Sequence, residues 1–141
     1  MIRTLRLIRH GTLVTASLMV LAIALSATAQ DTKPRKTKGI SVSERSTLLL
    51  GAQIPALEGY AMQIRTIVLK PGAVAAYHSH AKRPVVAYLV SGEYTEHRDG
   101  MAEIVHKPGE QWVEGTEVAH WSENHGTEPA VLINVEVFRK K

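Results

Sequence analysis

The sequence predicts an all-β domain, a sandwich or barrel of antiparallel strands. Apolar and β-branched residues recur at every second position in two segments, 62–68 and 131–137, and this period is that of a half-buried strand. Turn signals divide the chain between these segments, at Pro71-Gly72, Ser91-Gly92, Asp99-Gly100 and Pro108-Gly109. No long helical pattern interrupts them, so we expect many short strands joined by tight turns.

The alternation also predicts the buried face of each long strand. In the first segment we expect Ile64 to face the core and Arg65 to lie on the opposite face. In the last segment we expect Val135 to face the core, with Asn134 and Glu136 on the other side. These expectations follow the usual rule that the apolar face of a strand is the buried one.

The first 29 residues are predicted to be a secretory signal peptide. Arg3, Arg6 and Arg9 precede an apolar run that ends in Ala27-Thr28-Ala29, a pattern typical of such a peptide with cleavage after Ala29. We therefore expect a periplasmic or secreted protein that meets the membrane only during export. An uncleaved anchor is the alternative, although the apolar run is short for a membrane span.

Behind this leader, residues 30–40 are predicted to form a flexible basic tail and residues 41–141 a single β-domain. The formal net charge is +4, but three of the 17 basic residues lie in the leader, which leaves 14 basic against 13 acidic side chains. A nearly neutral protein gives no reason to expect a nucleic-acid partner. The chain has no cysteine, so a metal site must use histidines and carboxylates.

Three histidines are the candidate metal ligands. His78 and His80 lie two residues apart in a predicted strand, so they share a face with Ala76 and are roughly 7 Å apart along the strand. His120 lies 40 residues downstream in another strand-like stretch that an antiparallel barrel can bring beside them. Three imidazoles with an open coordination position suit a catalytic metal ion. The plainer alternative is that these side chains are exposed or satisfied by backbone groups.

Two motifs surround these histidines. The first comprises Pro71-Gly72, His78-Ser79-His80 and Leu89-Val90-Ser91-Gly92-Glu93, and the second comprises Lys107-Pro108-Gly109-Glu110, Gly115, His120 and Asn124. With this separation, the chain from about residue 67 to 137 resembles a small single-domain cupin. The resemblance implies an antiparallel jelly-roll barrel, also called a double-stranded β-helix, with metal ligands inside.

One departure from the cupin pattern concerns the carboxylate ligand. The usual glutamate would fall at Pro84 or Val85, and neither can bind a metal. Three explanations remain open: an all-histidine site that resembles thiol dioxygenases, a carboxylate supplied by Glu96, or a degenerate and empty site. The second explanation requires a tight hairpin that places Glu96 opposite Ala87 on the inward face.

The expected cofactor is a divalent ion: iron, manganese, zinc, copper or nickel. Three neutral imidazoles leave its double charge uncompensated in a barrel interior, which favours a small anionic molecule as ligand or substrate. The resemblance implies a dioxygenase-like or isomerase-like activity and a homodimer. The alternatives are a non-catalytic barrel that binds or senses a ligand or metal, and a purely structural subunit with vestigial histidines.

Other ring-bearing residues are expected to lie outside the site. His97, His106 and His125 fall in or beside predicted turns and are interpreted as surface residues. Trp121 follows His120 in the same strand, so its side chain is expected on the outer face.

Overall fold

The computed structural model describes residues 33–140, which form eight strands and one short 3-10 helix, Pro55–Leu57. The strands are β1 (Lys38–Leu49), β2 (Tyr60–Ser79), β3 (Val85–Ser91), β4 (Tyr94–Arg98), β5 (Ile104–His106), β6 (Gln111–Glu114), β7 (Ala119–Glu123) and β8 (Ala130–Arg139). Every strand pairing is antiparallel. The predicted all-β fold is confirmed.

The 20-residue strand β2 lies in the middle of a curled sheet and belongs to both of its halves. The strands follow the order β5-β4-β7-β2-β8-β3-β6, and β1 pairs with β2 outside this path. The first half of β2 pairs with β1 and β8, and its second half pairs with β7. Gly72 separates the two halves with a φ of 71°, a left-handed value that glycine adopts easily. The change of partner at this point brings β7 against the same strand as β8.

The predicted hairpin between β3 and β4 does not form. Strand β3 pairs with β6 and β8, whereas β4 pairs with β5 and β7, so the chain crosses to another part of the sheet at Gly92. A Cβ atom at Gly92 would lie 2.5 Å from the carbonyl oxygen of Pro129, which explains the glycine. The expected position of Glu96 opposite Ala87 is therefore wrong, and Glu96 lies opposite Ser122 and Ile104 instead.

The buried faces of β2 and β8 are the reverse of those expected. Asn134 is 7 % exposed and Glu136 is fully buried, and the Arg65 side chain also lines the interior, whereas Ile64 is 43 % exposed. The alternation predicted the strands correctly but assigned their faces wrongly. The reason is that the interior holds a polar cavity, so the inward positions carry polar side chains.

Apolar packing occupies another part of the interior. Six buried residues form the core cluster: Leu69, Ala73, Leu89, Tyr94, Ala130 and Leu132. They come from strands β2, β3, β4 and β8, so this cluster packs both parts of the curled sheet against each other. The cluster is small, and a large share of the interior is left to the polar residues described below.

The last residues of the predicted tail belong to the sheet. Strand β1 begins at Lys38, and residues 33–37 run beside β2, where Tyr77 N donates to Pro34 O at 2.9 Å and Ala76 N donates to the Thr37 hydroxyl at 3.0 Å. These backbone donors need no apolar side chain in the tail, which is why composition did not indicate them.

The predicted signal peptide lies outside the described residues. Among residues 33–140, no helix is long and apolar enough to span a membrane.

Candidate metal centre

The three predicted histidines meet inside the curled sheet. β2 supplies His78 and His80, β7 supplies His120, and the pairing of these strands sets His78 directly across from His120. The Nε2 atom of His80 lies 3.2 Å from that of His78 and 3.0 Å from that of His120, and the remaining pair is 3.2 Å apart. His80 and His120 are buried, and His78 is more exposed.

The opposite nitrogen of each ring fixes its tautomer. Nδ1 of His78 faces the carbonyl oxygen of Ala76 at 2.8 Å, and Nδ1 of His80 faces that of Arg83 at 2.9 Å. Nδ1 of His120 faces the Glu96 carboxylate at 2.6 Å. Each of these oxygens only accepts, so each Nδ1 carries the proton. In the tautomer that carries its proton on Nδ1 alone, each ring presents an Nε2 lone pair to the other two.

Three converging lone pairs fit a metal ion. An ion bound at roughly 2.1 Å from each nitrogen would separate neighbouring ligands by about 3.0–3.4 Å in octahedral or tetrahedral geometry. The observed spacings of 3.0 and 3.2 Å match this range. Burial lowers the pKa of His78, and the neighbouring His120 and His80 lower it further, although its bond to Ala76 opposes this. The lowered pKa keeps the ring in the neutral form that a metal requires.

A carboxylate that the sequence did not indicate completes the group. Glu114 of β6 is 2 % exposed, and its Oε2 lies 3.1 Å from Nε2 of His80. Its Oε1 accepts a hydrogen bond from the Trp112 indole at 2.9 Å, which orients the carboxylate. Glu114 pairs across the sheet with Val85, one of the two positions where the cupin pattern would place its glutamate. Only the register of β3 with β6 relates these positions, so no local pattern in the sequence indicated Glu114.

Glu96 lies behind the three imidazoles instead of among their Nε2 atoms. Its side chain is fully buried and bonds to Nδ1 of His120 at 2.6 Å, to Arg98 at 2.7 and 3.1 Å, and to Nε2 of His106 at 3.2 Å. Burial would raise the pKa of Glu96, but the bonds from His106, His120 and Arg98 outweigh it and hold the pKa well below its ordinary value. Both oxygens of this charged carboxylate are engaged, and they fix the orientation of His120.

The surface position expected for His106 is wrong. His106 is 6 % exposed, stacks on Trp112 with ring centroids 3.8 Å apart, and contacts Glu96. Strand β5 places it opposite Tyr94 in the register with β4. The His106 ring, although it lies beside a predicted turn, is buried because it contacts the buried Glu96 carboxylate. His125 is exposed, and Trp121 lies on the face opposite His120, as expected.

The cluster of His78, His80 and His120 opens into a cavity of about 310 Å³. This is the lower end of the volume range for small-molecule sites, so the cavity suits a ligand of few atoms. Arg65 and Asn134 line it together with the three histidines and Glu114. Nε of Arg65 and Oδ1 of Asn134 are buried and have no hydrogen-bond partner among residues 33–140. Unpaired buried polar atoms are costly, and a polar ligand in the cavity would satisfy them.

Comparison with known protein families agrees with this geometry. A family model described as "Cupin domain" matches residues 65–136, about half of the chain. This chain belongs to the cupin family. The matched segment contains His78, His80, Glu114 and His120, and membership identifies the curled antiparallel sheet as a cupin jelly-roll barrel. No curated protein is significantly similar to this cupin in sequence.

Several solved structures share this fold. KdgF from Halomonas sp. aligns with a TM-score of 0.54 and 18 % identity over 76 % of this cupin and 84 % of that chain. Oxalate oxidase in complex with the substrate analogue glycolate aligns with a TM-score of 0.52 and 20 % identity over 70 % of this cupin and 50 % of that chain. A structure of DMSP lyases aligns over only 37 % of its chain, with 17 % identity and a TM-score of 0.48. At these identities the likeness concerns the fold alone.

Proposed function

We propose that this cupin holds a divalent metal ion through Nε2 of His78, His80 and His120 with Glu114 as a fourth ligand. The observation that carries this proposal is that the three Nε2 atoms lie 3.0–3.2 Å from one another and that Oε2 of Glu114 lies 3.1 Å from Nε2 of His80. Acceptors at such distances repel one another unless a proton or a cation lies between them. Glu114 thus takes the place of the glutamate ligand that the family pattern expects at Pro84 or Val85. Glu96 accepts the hydrogen bond from Nδ1 of His120 and orients that ring.

The charge of the site favours an anionic ligand. Glu114 reduces the doubly charged ion and three neutral rings to a single net positive charge, and Arg65 lies on the same cavity wall. One guanidinium nitrogen of Arg65 is paired with Glu136 at 3.1 Å, while its Nε remains without a partner among the described residues. A small carboxylate or enolate that binds the ion and also contacts Arg65 would use both groups.

We propose an enzyme of the dioxygenase-like or isomerase-like kind that acts on such a molecule. When bound, the ion supplies a Lewis acid and open coordination positions. The residues of this chain position the reaction: Arg65 orients the anionic end of the substrate, and the Nδ1 bonds hold the imidazoles rigid.

The second candidate is a non-catalytic barrel that binds or senses a small anion. Among the described residues that line the cavity, the carboxylate and the histidines are all proposed metal ligands. None of them is left free to act as a general base, and this favours a binding role. Oxygen uptake by metal-loaded protein with small thiols, diketones, phenols and carboxylates separates the two candidates. Turnover of any of them establishes an enzyme, whereas saturable binding without turnover establishes the binding barrel.

Replacing Glu114 with glutamine is expected to weaken metal binding by roughly ten- to a hundredfold, the loss typical of removing a charged group that supports a metal site. The variant keeps the size of the side chain and removes its negative charge. Zn²⁺ affinity, measured by competition with a chromophoric chelator, checks this result. Glu117→Gln changes an exposed carboxylate three residues from the nearest ligand histidine and should leave the affinity unchanged. Equal affinities in the two variants would remove Glu114 from the ligand set.

Replacing Arg65 with lysine is expected to weaken oxalate binding to the metal-loaded protein about tenfold, while metal affinity stays the same. Lysine keeps the charge beside Glu136 but loses the planar fork that a carboxylate recognises. Calorimetric titration with oxalate measures the effect. Arg83→Lys is the matched control because Arg83 also faces Glu136, at 3.6 Å, but does not line the cavity. Tight binding of neutral ligands, or no difference between the two variants, would contradict the anion proposal.

Export to the periplasm or the medium and assembly as a homodimer remain predictions. The basic and apolar pattern of residues 1–29 supports export. Exposed Val86 and Val113, paired across β3 and the edge strand β6, support an interface on that face. N-terminal sequencing of the protein from its host and its mass in solution test these two predictions separately.

A further inference from the structure

A second group of potential ligands lies on the outer face of the same strand that carries His120. Along β7 the buried residues His120 and Ser122 alternate with the partly exposed Trp121 and Glu123. Side chains of successive strand residues point to opposite faces. Glu123 therefore points away from the cavity, and any site around it is separate from the candidate metal centre.

Two histidines converge on Glu123. His97 on the neighbouring strand β4 places Nε2 at 3.1 Å from Oε1 of Glu123, and His125 places its Nε2 at 2.7 Å from the same oxygen. One ligand atom of each of the three residues lies within 4.8 Å of the others. His97 and Glu123 are each about one-fifth exposed, and His125 is 57 % exposed, so ions from solution can reach the group.

The His97 ring and the backbone turn that carries His125 are held by their surroundings. The His97 ring stacks on Trp121, its partner across the strand pair, with centroids 3.7 Å apart and planes 8° apart. His125 follows Asn124, whose side chain donates to the carbonyl oxygens of Leu69 and Glu128 and accepts from Gly126 N. The turn that presents His125 is thus fixed by a buried side chain. Ligands that are oriented in advance lose less freedom when they bind an ion.

We propose that His97, Glu123 and His125 form a second, outer site for Zn²⁺ or Cu²⁺. Two imidazoles and one carboxylate are a ligand set that both ions accept, and it leaves positions open for water. Without an ion, Nε2 of His97 donates to Glu123, and Nε2 of His125 lies 2.7 Å from the same carboxylate oxygen. When the ion binds, a proton on either Nε2 is released or moves to Nδ1, so the lone pairs that face the carboxylate become ligands.

The stacked Trp121 provides a direct signal for this site. Cu²⁺ bound to His97 would lie next to the indole and quench its fluorescence. The experiment uses protein with His78→Ala and His80→Ala, which disables the inner group, and titrates it with Cu²⁺ while tryptophan emission and the paramagnetic resonance spectrum are recorded. We expect one equivalent of Cu²⁺ with nitrogen ligands, and a saturable loss of emission.

Two further substitutions in the same background test the ligands. His125→Ala removes an exposed ring and leaves the His97 ring that stacks on Trp121 in place, and Glu123→Gln removes the charge; each should weaken Cu²⁺ binding at least tenfold. Glu58→Gln, on an exposed residue that precedes β2 and lies in none of the strands around the group, should not. Absence of saturable binding, or binding that neither substitution weakens, overturns the proposal.

The outcome does not depend on the inner site or on the folding of the double variant. In calorimetry, the unaltered protein should bind one equivalent more Zn²⁺ than a variant that carries His125→Ala alone. Equal stoichiometry in these two proteins would overturn the outer site and leave the inner one untouched. Conversely, a protein that binds metal at the outer group but not at the inner histidines would contradict the proposed function and support the outer site.

Discussion

The Glu96→Ala variant is expected to lose about 3–5 kcal/mol of unfolding free energy, the cost typical of removing one partner from a buried ionic cluster. The Glu96 carboxylate is fully buried and receives bonds from Arg98, His106 and His120. Without it, these donors remain in the interior with no shared acceptor, and a cavity replaces the side chain. Urea denaturation followed by circular dichroism measures the change.

Two companions make the Glu96 result specific. Glu103→Ala alters an exposed carboxylate and should change the free energy of unfolding by less than about 0.5 kcal/mol. Glu96→Gln retains a hydrogen-bonding side chain of equal size, so it should fall between the wild type and Glu96→Ala. A Glu96→Ala protein as stable as Glu103→Ala would mean that the cluster contributes little to the fold.

Metal is expected to stabilise the protein against unfolding through the inner histidines. At a free Zn²⁺ concentration a hundredfold above the dissociation constant, an ion that binds only the folded state adds about 2.7 kcal/mol. His78→Ala should abolish this gain because it removes one of three imidazoles. Thermal unfolding with and without Zn²⁺ measures it, and both proteins carry His125→Ala so that the outer group does not contribute.

Ser79→Ala is the matched control for this comparison. Ser79 lies between His78 and His80 on the same strand, and its side chain points to the other face. Its variant should gain as much stability from Zn²⁺ as the parent protein. An equal gain in His78→Ala and Ser79→Ala would place the stabilising ion elsewhere in the molecule.

The sequence predicted the strands and the convergence of three histidines, because both depend on local periodicity and on motifs with fixed spacing. It did not predict which face of β8 is buried. Asn134 and Glu136 face inward, and Val135 lies on the opposite face, since the interior is a polar cavity. Local alternation identifies two faces of a strand but carries no information on which face meets such a cavity.

Contacts between distant strands account for the other differences. Glu114 reaches His80 only because β6 pairs with β3, and Glu96 reaches His120 because β4 pairs with β7 and not with β3. Each of these contacts depends on which strands become neighbours, and the local sequence around a carboxylate does not encode that choice. The same long-range pairing brings His97 to Glu123 on the outer face.

Metal content is the most direct test of the proposed centre. The protein is purified without chelator beside its His78→Ala/His80→Ala variant, and the ions in both are quantified by mass spectrometry. The proposed centre predicts about one equivalent more divalent metal in the unaltered protein than in the variant, and the identity of that ion indicates which chemistry to screen. Equal metal content in the two proteins, even after reloading with iron, manganese, zinc, copper and nickel, would contradict the proposed centre.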